Sequence, residues 1–208
     1  MKNKQIRYAM SRRRKNSLLL AAFLLAGAII WMDRNFIHPR IFPQETKTAV
    51  SGDFYKYNQK EFTAVKVVDG DTLDIDIPDA NYKTTRIRLW GVDTPETAKS
   101  PKGEMYYGQE ASQFTKDTVL DKRITVLMNE NTKPRDKYGR LLAYIKLADG
   151  RILNEELVSN GFAYADTRFK HPDYEKYIEL ESAARKEKKG LWKDVTPDQM
   201  PKWRQRWF

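Results

Sequence analysis

The chain has 208 residues, 40% hydrophobic and 32% charged, an ordinary globular composition with room for one domain and a real core. It contains no cysteine, which excludes disulfides, zinc–thiolate centres and thiol nucleophiles. Most of the net charge of +10 comes from Lys2, Lys4, Arg7, Arg12, Arg13, Arg14 and Lys15, so bulk charge does not mark the folded part as a nucleic-acid binder and any such field must be local.

Behind this basic flank (1–16), Leu18 to Met32 carries no charge. As a helix it would be about 22 Å long, slightly short of a hydrocarbon core of about 30 Å, with Trp31 where an interfacial aromatic belongs. Residues 17–32 are expected to be a transmembrane signal-anchor, with the flank in the cytoplasm and everything after Asp33 outside it. The alternative is a signal peptide cleaved at Ala26-Gly27-Ala28 and secretion. The apolar run continues past Ala28 through Trp31, which favours the anchor. Residues 33–60 are polar, contain Pro39 and Pro43, and read as a tether.

From Glu61 the pattern becomes that of strands. A valine-rich run from Phe62 to Val68 is broken by the turn signal Asp69-Gly70-Asp71. Leu73, Ile75 and Ile77 then alternate with Thr72, Asp74 and Asp76, which is period two with one wet face. After a turn at Pro78 to Asn81, Thr84 to Trp90 reads as a third strand. Ile124, Val126 and Met128 mark a fourth, and Leu141 to Leu147 a fifth. Helices are expected over Gln109 to Leu120, over Ile152 to Asn160 with Gly161 closing it, and from a cap at Asp173 to Gly190. The order predicts an α+β domain (61–195): a five-stranded antiparallel barrel of the OB type with three helices, preceded by the apolar N-terminal helix and followed by an aromatic and basic tail (196–208).

Histidine is too scarce for a histidine-based site, since His38 lies in the tether and His171 stands alone. Oxygen ligands and arginine remain. Two clusters supply them: Asp69-Gly70-Asp71-Thr72 at the first turn, and the run from Arg86 to Glu96 leaving the third strand. A phosphodiesterase needs these groups: carboxylates for a hard divalent cation, guanidiniums for the phosphate, and a group to position or deprotonate water. Taken singly, each has an ordinary reading, because Asp-Gly-Asp is a common turn and Asp93-Thr94-Pro95-Glu96 can open a helix with proline at its first position.

Taken together with Asp136-Lys137-Tyr138-Gly139-Arg140, and with Tyr107-Gly108-Gln109-Glu110-Ala111 and Asn154-Glu155-Glu156-Leu157-Val158 in the same order, the set resembles the thermonuclease (staphylococcal nuclease) family over roughly residues 61–195. The resemblance implies an OB-fold barrel, Ca2+ dependence, and hydrolysis of DNA and RNA to 3′-phosphate products. It assigns Asp71, Asp93 and the backbone carbonyl of Thr94 as cation ligands. It makes Glu96 the residue that orients or deprotonates water, and Arg88 and Arg140 the phosphate clamp, a task for which the planar fork of arginine suits better than lysine. Asp69 reads as a turn residue. Lys137 and Tyr138 match positions that contact a terminal phosphate; a solvated hairpin tip is the equal alternative. Where the family tends to place two tyrosines against the base, this chain has Thr167 and Phe169, and only Phe169 offers a stacking face.

The tail, with Trp203 and Trp207, is expected to pack on the barrel and is assigned no site. No segment reads as a protein interface, so a monomer is expected. The rival function is a non-catalytic OB-fold module that binds nucleic acid at the cell envelope. The presence of Asp71, Arg88, Asp93, Glu96 and Arg140 together argues for the enzyme.

Overall fold

The computed structural model describes residues 23–28, 31, 52–98, 100–101 and 103–205. The chain divides into two compact units, Met1–Lys47 and Thr48–Phe208. In the first, residues 23–28 are helical, with Phe23, Leu24 and Leu25 exposed. The basic flank, the rest of the expected membrane segment and the tether as far as Ser51 lie outside the described residues, as do 206–208. Among the described residues no helix is long and apolar enough to cross a membrane.

The second unit opens with a short helix, α1 (Gly52–Tyr57), inside the stretch read as a tether. Six residues with one fully buried side chain carry almost no periodicity, which hid the helix. It belongs to the fold because Tyr57 enters the core and donates or accepts at the Thr85 hydroxyl, 3.1 Å away. Asp53 on the same helix pairs with Arg135.

Strands β1 (Lys60–Val67), β2 (Thr72–Ile75), β3 (Thr85–Leu89), β5 (Arg123–Leu127) and β6 (Leu141–Lys146) close a barrel in the order β1-β2-β3-β6-β5. The α+β barrel matches the sequence reading in strand count and order. One pairing corrects it: β3 and β6 run parallel, with Ile87 beside Leu141 and Arg88 beside Leu142. The reason is parity. Five strands cannot alternate direction all the way round a closed ring, so an all-antiparallel barrel of five was never available. Leu73, Ile75, Ile87, Leu89, Ile124, Val126, Leu141 and Ile145 fill the interior at 0–2% exposure. Each such side chain contributes roughly 1.5–3 kcal/mol.

The three longer helices lie where the periodicity puts them: α2 (Gly108–Val119), α3 (Leu153–Ser159) and α4 (Tyr174–Lys186). Asp173 occupies the cap position of α4 without a side-chain capping bond. Asn154, fully buried on α3, accepts from Ile145 N (3.0 Å) and donates to Trp90 O (2.9 Å) and Ala143 O. This fastens the end of β3 to β6. Two-residue strands β4 (Val92–Asp93) and β7 (Tyr164–Ala165) then pair antiparallel, laying the segment after α3 beside the loop that leaves β3.

Candidate active site

Along β3, Thr85, Ile87 and Leu89 point inward, so Arg86 and Arg88 project from the outer face. Their cross-strand neighbours on β2 are Asp74 and Thr72. Arg86 is used up in a bidentate pair with Asp74 at 2.7 and 3.0 Å. Arg88 turns the other way, beneath the loop that follows the strand. One of its terminal nitrogens lies 3.1 Å from Asp71 Oδ2, and the other donates to Asp93 Oδ1 at 2.9 Å. Further donation to Leu89 O and Val92 O fixes the guanidinium plane.

Asp71 is placed by its turn. Its N–H donates to Asp69 Oδ1 (3.1 Å) and its carbonyl accepts from Leu89 N (2.8 Å), which makes Asp69 the turn residue the sequence suggested. The Asp71 carboxylate reaches the second loop directly: Oδ2 accepts from Thr94 N at 2.8 Å and from Thr94 Oγ1 at 3.1 Å. The segment 94–97 is a loop rather than a helix start. Two glycines let it come this close. A Cβ on Gly70 would meet the Thr94 side chain at 2.8 Å, and a Cβ on Gly108, the first residue of α2, would meet Glu96 O at 2.1 Å.

On the other side, Thr72 Oγ1 donates to Asp71 Oδ1 (3.1 Å) and lies 3.5 Å from an Arg140 nitrogen. Asp136 holds that arginine from below through Arg140 Nε at 2.7 Å. Asp71, Arg88, Asp93 and Thr94 thus form one bonded cluster, and Arg140 joins it through Thr72. Glu96 lines a cleft of about 1200 Å³ with Asp93 and Thr94.

Burial pushes the Asp71 carboxyl up to about 6, against the pull of the Arg88 guanidinium. Burial raises Asp93 as well, again opposed by Arg88. Burial also works against the charge of Arg88, but Asp71 and Asp93 outweigh it and keep the group firmly protonated. Burial thus disfavours the charged form of both carboxylates, a cost that a further cation would relieve. Their lone pairs fit one. The donors that reach Asp71 crowd Oδ2, while Oδ1 accepts, among the described residues, from the Thr72 hydroxyl. Asp93 Oδ1 takes two guanidiniums, while Oδ2 takes one neutral N–H. Among the described residues no three of His, Cys, Asp or Glu converge, so two carboxylates need a backbone carbonyl or water to complete a hard-cation site.

Comparison with known proteins identifies the family. A family model described as "Staphylococcal nuclease homologue" matches residues 86–194, more than half the chain. The chain belongs to the staphylococcal nuclease family. It is 35% identical over 154 residues to a thermonuclease of Staphylococcus hyicus, covering 73% of this chain and 86% of that relative. It is 34% identical over 145 residues to an uncharacterized endonuclease of Escherichia coli O157:H7, covering 67% and 80%. To endonuclease YhcR of Bacillus subtilis it is 37% identical over 142 residues, covering 64% of this chain and 11% of that longer protein. The chain is a nuclease, a hydrolase of phosphodiester bonds.

Within this staphylococcal nuclease domain, the match spans Arg88, Asp93, Glu96 and Arg140, and Asp71 lies ahead of it. Lys137 and Tyr138 occupy the exposed turn before Arg140. The Tyr138 ring has Lys137 at 4.9 Å and Arg140 at 5.4 Å, so this tip is continuous with the cluster. Arg135, on the same loop, binds Asp53 and Asp79 and staples the loop to α1 and the 78–82 turn. Phe169 is 64% exposed, beside the Arg168 guanidinium.

Sequence reasoning missed four residues. Thr72 bridges Asp71 to Arg140. Arg168, held by Asp166 at 2.8 Å, reaches Asp93 Oδ1 at 3.1 Å. Trp203 donates its indole N–H to Asp93 Oδ2 at 2.8 Å. The alternation of Asp166 and Arg168 just after β7 was the one available signal. Trp203 offered none, because 110 residues separate it from its partner.

Proposed function

We propose that the chain is a Ca2+-dependent nuclease that hydrolyses DNA and RNA to 3′-phosphate ends. Asp71, Asp93 and the Thr94 carbonyl would hold the cation, with Arg88, Glu96 and Arg140 carrying the reaction. The observation that supports this most is the convergence of Asp71 and Asp93, from separate loops, on one guanidinium. Asp71, Asp93 and Asp166 outnumber the Arg88 and Arg168 guanidiniums that pair with them, which leaves hard oxygens and a surplus of negative charge, the donor chemistry a divalent cation needs. Ca2+, when bound, supplies an electrophilic contact to the phosphate and a more acidic water.

The remaining work belongs to the side chains. Arg88 donates to phosphate oxygens, exchanging carboxylate partners for phosphate ones, so its charge is never bare. Glu96, on the rim of the cleft, orients the attacking water and receives its proton. Arg140, aimed by Asp136, donates to the oxygens on which charge accumulates as the bond to the 5′ oxygen breaks. The phosphate stays on the 3′ oxygen, and the 5′ oxygen takes up a proton. Lys137 and Tyr138 receive a terminal phosphate, and Phe169 offers a face on which a base can stack.

Incubating the purified protein with plasmid DNA and with RNA, in Ca2+ or in chelator, tests the reading. Cleavage is expected in Ca2+ alone. Glu96→Ser and Arg140→Ala should each lose about 10²–10³-fold or more in kcat while remaining folded. Wild-type protein that cleaves nothing in Ca2+ refutes the proposal, and near wild-type rates in both variants refute the assigned roles. We further propose a cell-membrane location, single-pass through 17–32 with the nuclease outside the cytoplasm. A mature chain whose mass begins near Ile29 would instead mean secretion.

A further inference from the structure

Residues 197–205 wrap back over the site instead of trailing away from it. A 3-10 turn (Pro197–Gln199), closed by reciprocal Thr196 and Gln199 contacts, leads into a one-turn helix, α5 (Lys202–Gln205). Two buried anchors hold it. Met200 packs with Tyr164, Leu191 and Trp192, and Arg204 forms an ion pair with Glu181 of α4 in the interior. Between these anchors the Trp203 ring meets the edge of Tyr164, with centroids 6.4 Å apart at 80°. Its indole N–H points at Asp93 Oδ2, 2.8 Å away. Arg168 lies over the same ring at 4.6 Å while its guanidinium takes Asp93 Oδ1.

The Asp93 carboxylate is therefore held by both oxygens, and the two holders differ in kind. Oδ1 faces guanidiniums, which fix it but also neutralise it. Oδ2 faces a neutral donor that has no acceptor capacity and no charge. An ammonium or guanidinium in that place would repel an arriving cation. The indole locks the carboxylate plane, leaves the oxygen its negative charge, and occupies one of its lone pairs. Residues that orient ligating carboxylates commonly set metal affinity in this way.

We propose that Trp203 is a positioning residue of the nuclease centre: its indole N–H, delivered by the C-terminal turn, fixes the second oxygen of Asp93 and thereby sets the affinity of the site for a divalent cation. This rests on the reading of Asp93 as a cation ligand. The test compares the full-length wild type with Trp203→Phe, Trp203→Ala and Asp93→Asn, using Ca2+ binding by calorimetry and metal-free unfolding temperature. Trp203→Phe keeps the ring against Tyr164 and Arg168 and loses only the N–H. It is expected to weaken Ca2+ binding by about 10-fold, near the lower end of the usual 10–100-fold for such partners. Its unfolding temperature should stay close to that of wild type, while Trp203→Ala loses both affinity and stability.

Unchanged Ca2+ affinity in both Trp203 variants, with binding abolished in Asp93→Asn, overturns the inference and leaves the cation reading standing. Tighter binding in Trp203→Phe also overturns it, since the indole would then compete with the cation for Oδ2. A loss of affinity that appears only with a matching fall in unfolding temperature overturns it too, making Trp203 a packing residue alone. Equal Ca2+ binding by wild type and Asp93→Asn defeats the cation reading, and the inference with it.

Discussion

Gly108→Ala adds one methyl group at the point where α2 begins beneath the Glu96 loop. The new Cβ would lie 2.1 Å from Glu96 O and 2.8 Å from its carbonyl carbon, with Pro95 O at 3.2 Å. Real Cβ contacts essentially never fall under 3.0 Å, so helix and loop must separate by about 0.9 Å or more. Neither side yields easily. Thr115 Oγ1 ties α2 to Gly70 O at 2.7 Å, and Met105 N ties the loop through Glu96 O at 2.9 Å. Without the clash, alanine would favour the helix by roughly 0.5–1 kcal/mol, so steric displacement decides the sign. A misplacement of about 1 Å in a group that must reach a reacting water costs on the order of 10²-fold, or about 2.7 kcal/mol of barrier.

The expected result is a kcat about 100-fold lower with KM little changed, because Arg88 and Arg140 stand on β3 and before β6 rather than on that loop. The assay is steady-state DNA hydrolysis followed by hyperchromicity at saturating Ca2+. Gly52→Ala is the control, since nothing lies within 4 Å of its Cβ and its φ is ordinary. A Gly108→Ala enzyme within about threefold of the wild-type kcat, beside an inactive Glu96→Ser, would show that this close approach does not position Glu96.

Arg88→Met leaves the buried Asp71 and the half-buried Asp93 without their shared partner. A loss of about 3–5 kcal/mol is expected in denaturant unfolding, partly restored by Ca2+; a midpoint unchanged in chelator would contradict it. His171, buried under Gly91 with its Nδ1 2.8 Å from the Tyr144 hydroxyl, has its pKa lowered by burial despite Asp173 and Asp166. The native state then binds fewer protons than the unfolded chain below the unfolded value of about 6.5, so this contribution is complete above 6.5 and lost as pH falls through it. Asp71 acts in the opposite direction between about 6 and 4, because its raised native value lets the folded form take up its proton first. Thermal melts of wild type and His171→Gln isolate the first effect: the variant should be less stable at pH 7.5, with the gap narrowing toward pH 5.5. A constant gap would mean that His171 does not titrate in this window.

The barrel was legible because alternation is a local property. Leu73, Ile75, Ile87 and Leu89 declare their inward faces within four or five residues. The parallel closure was not written in any strand, yet it follows from counting them. The cluster was legible for a related reason. Asp69-Gly70-Asp71 and Asp93-Thr94-Pro95-Glu96 each announce a turn, and adjacent β2 and β3 must carry such turns to one end of the sheet. The glycines that admit Thr94 and Glu96 could be noticed as residues but not as clearances, since a clearance needs both partners in place.

What escaped the sequence is the part of the site where two distant segments meet. The stretch after β7 was read through Thr167 and Phe169, the positions where aromatic rings were expected, and so as the loss of a stacking face. Those positions lie in a turn that follows β7, however. Asp166 and Arg168 belong to the same turn, and the pairing of β7 with β4 brings them to Asp93. Arg168 in turn provides the surface on which Trp203 lies. A threonine where a ring was expected leaves the hold on the Asp93 carboxylate untouched. The turn that lacks that ring holds the Asp93 carboxylate through the Arg168 guanidinium, against which the Trp203 indole of the C-terminal turn lies. The geometry at Asp93 depends on three parts of the chain, β3, the segment after β7 and the C-terminal turn, and no single window of sequence contains more than one of them.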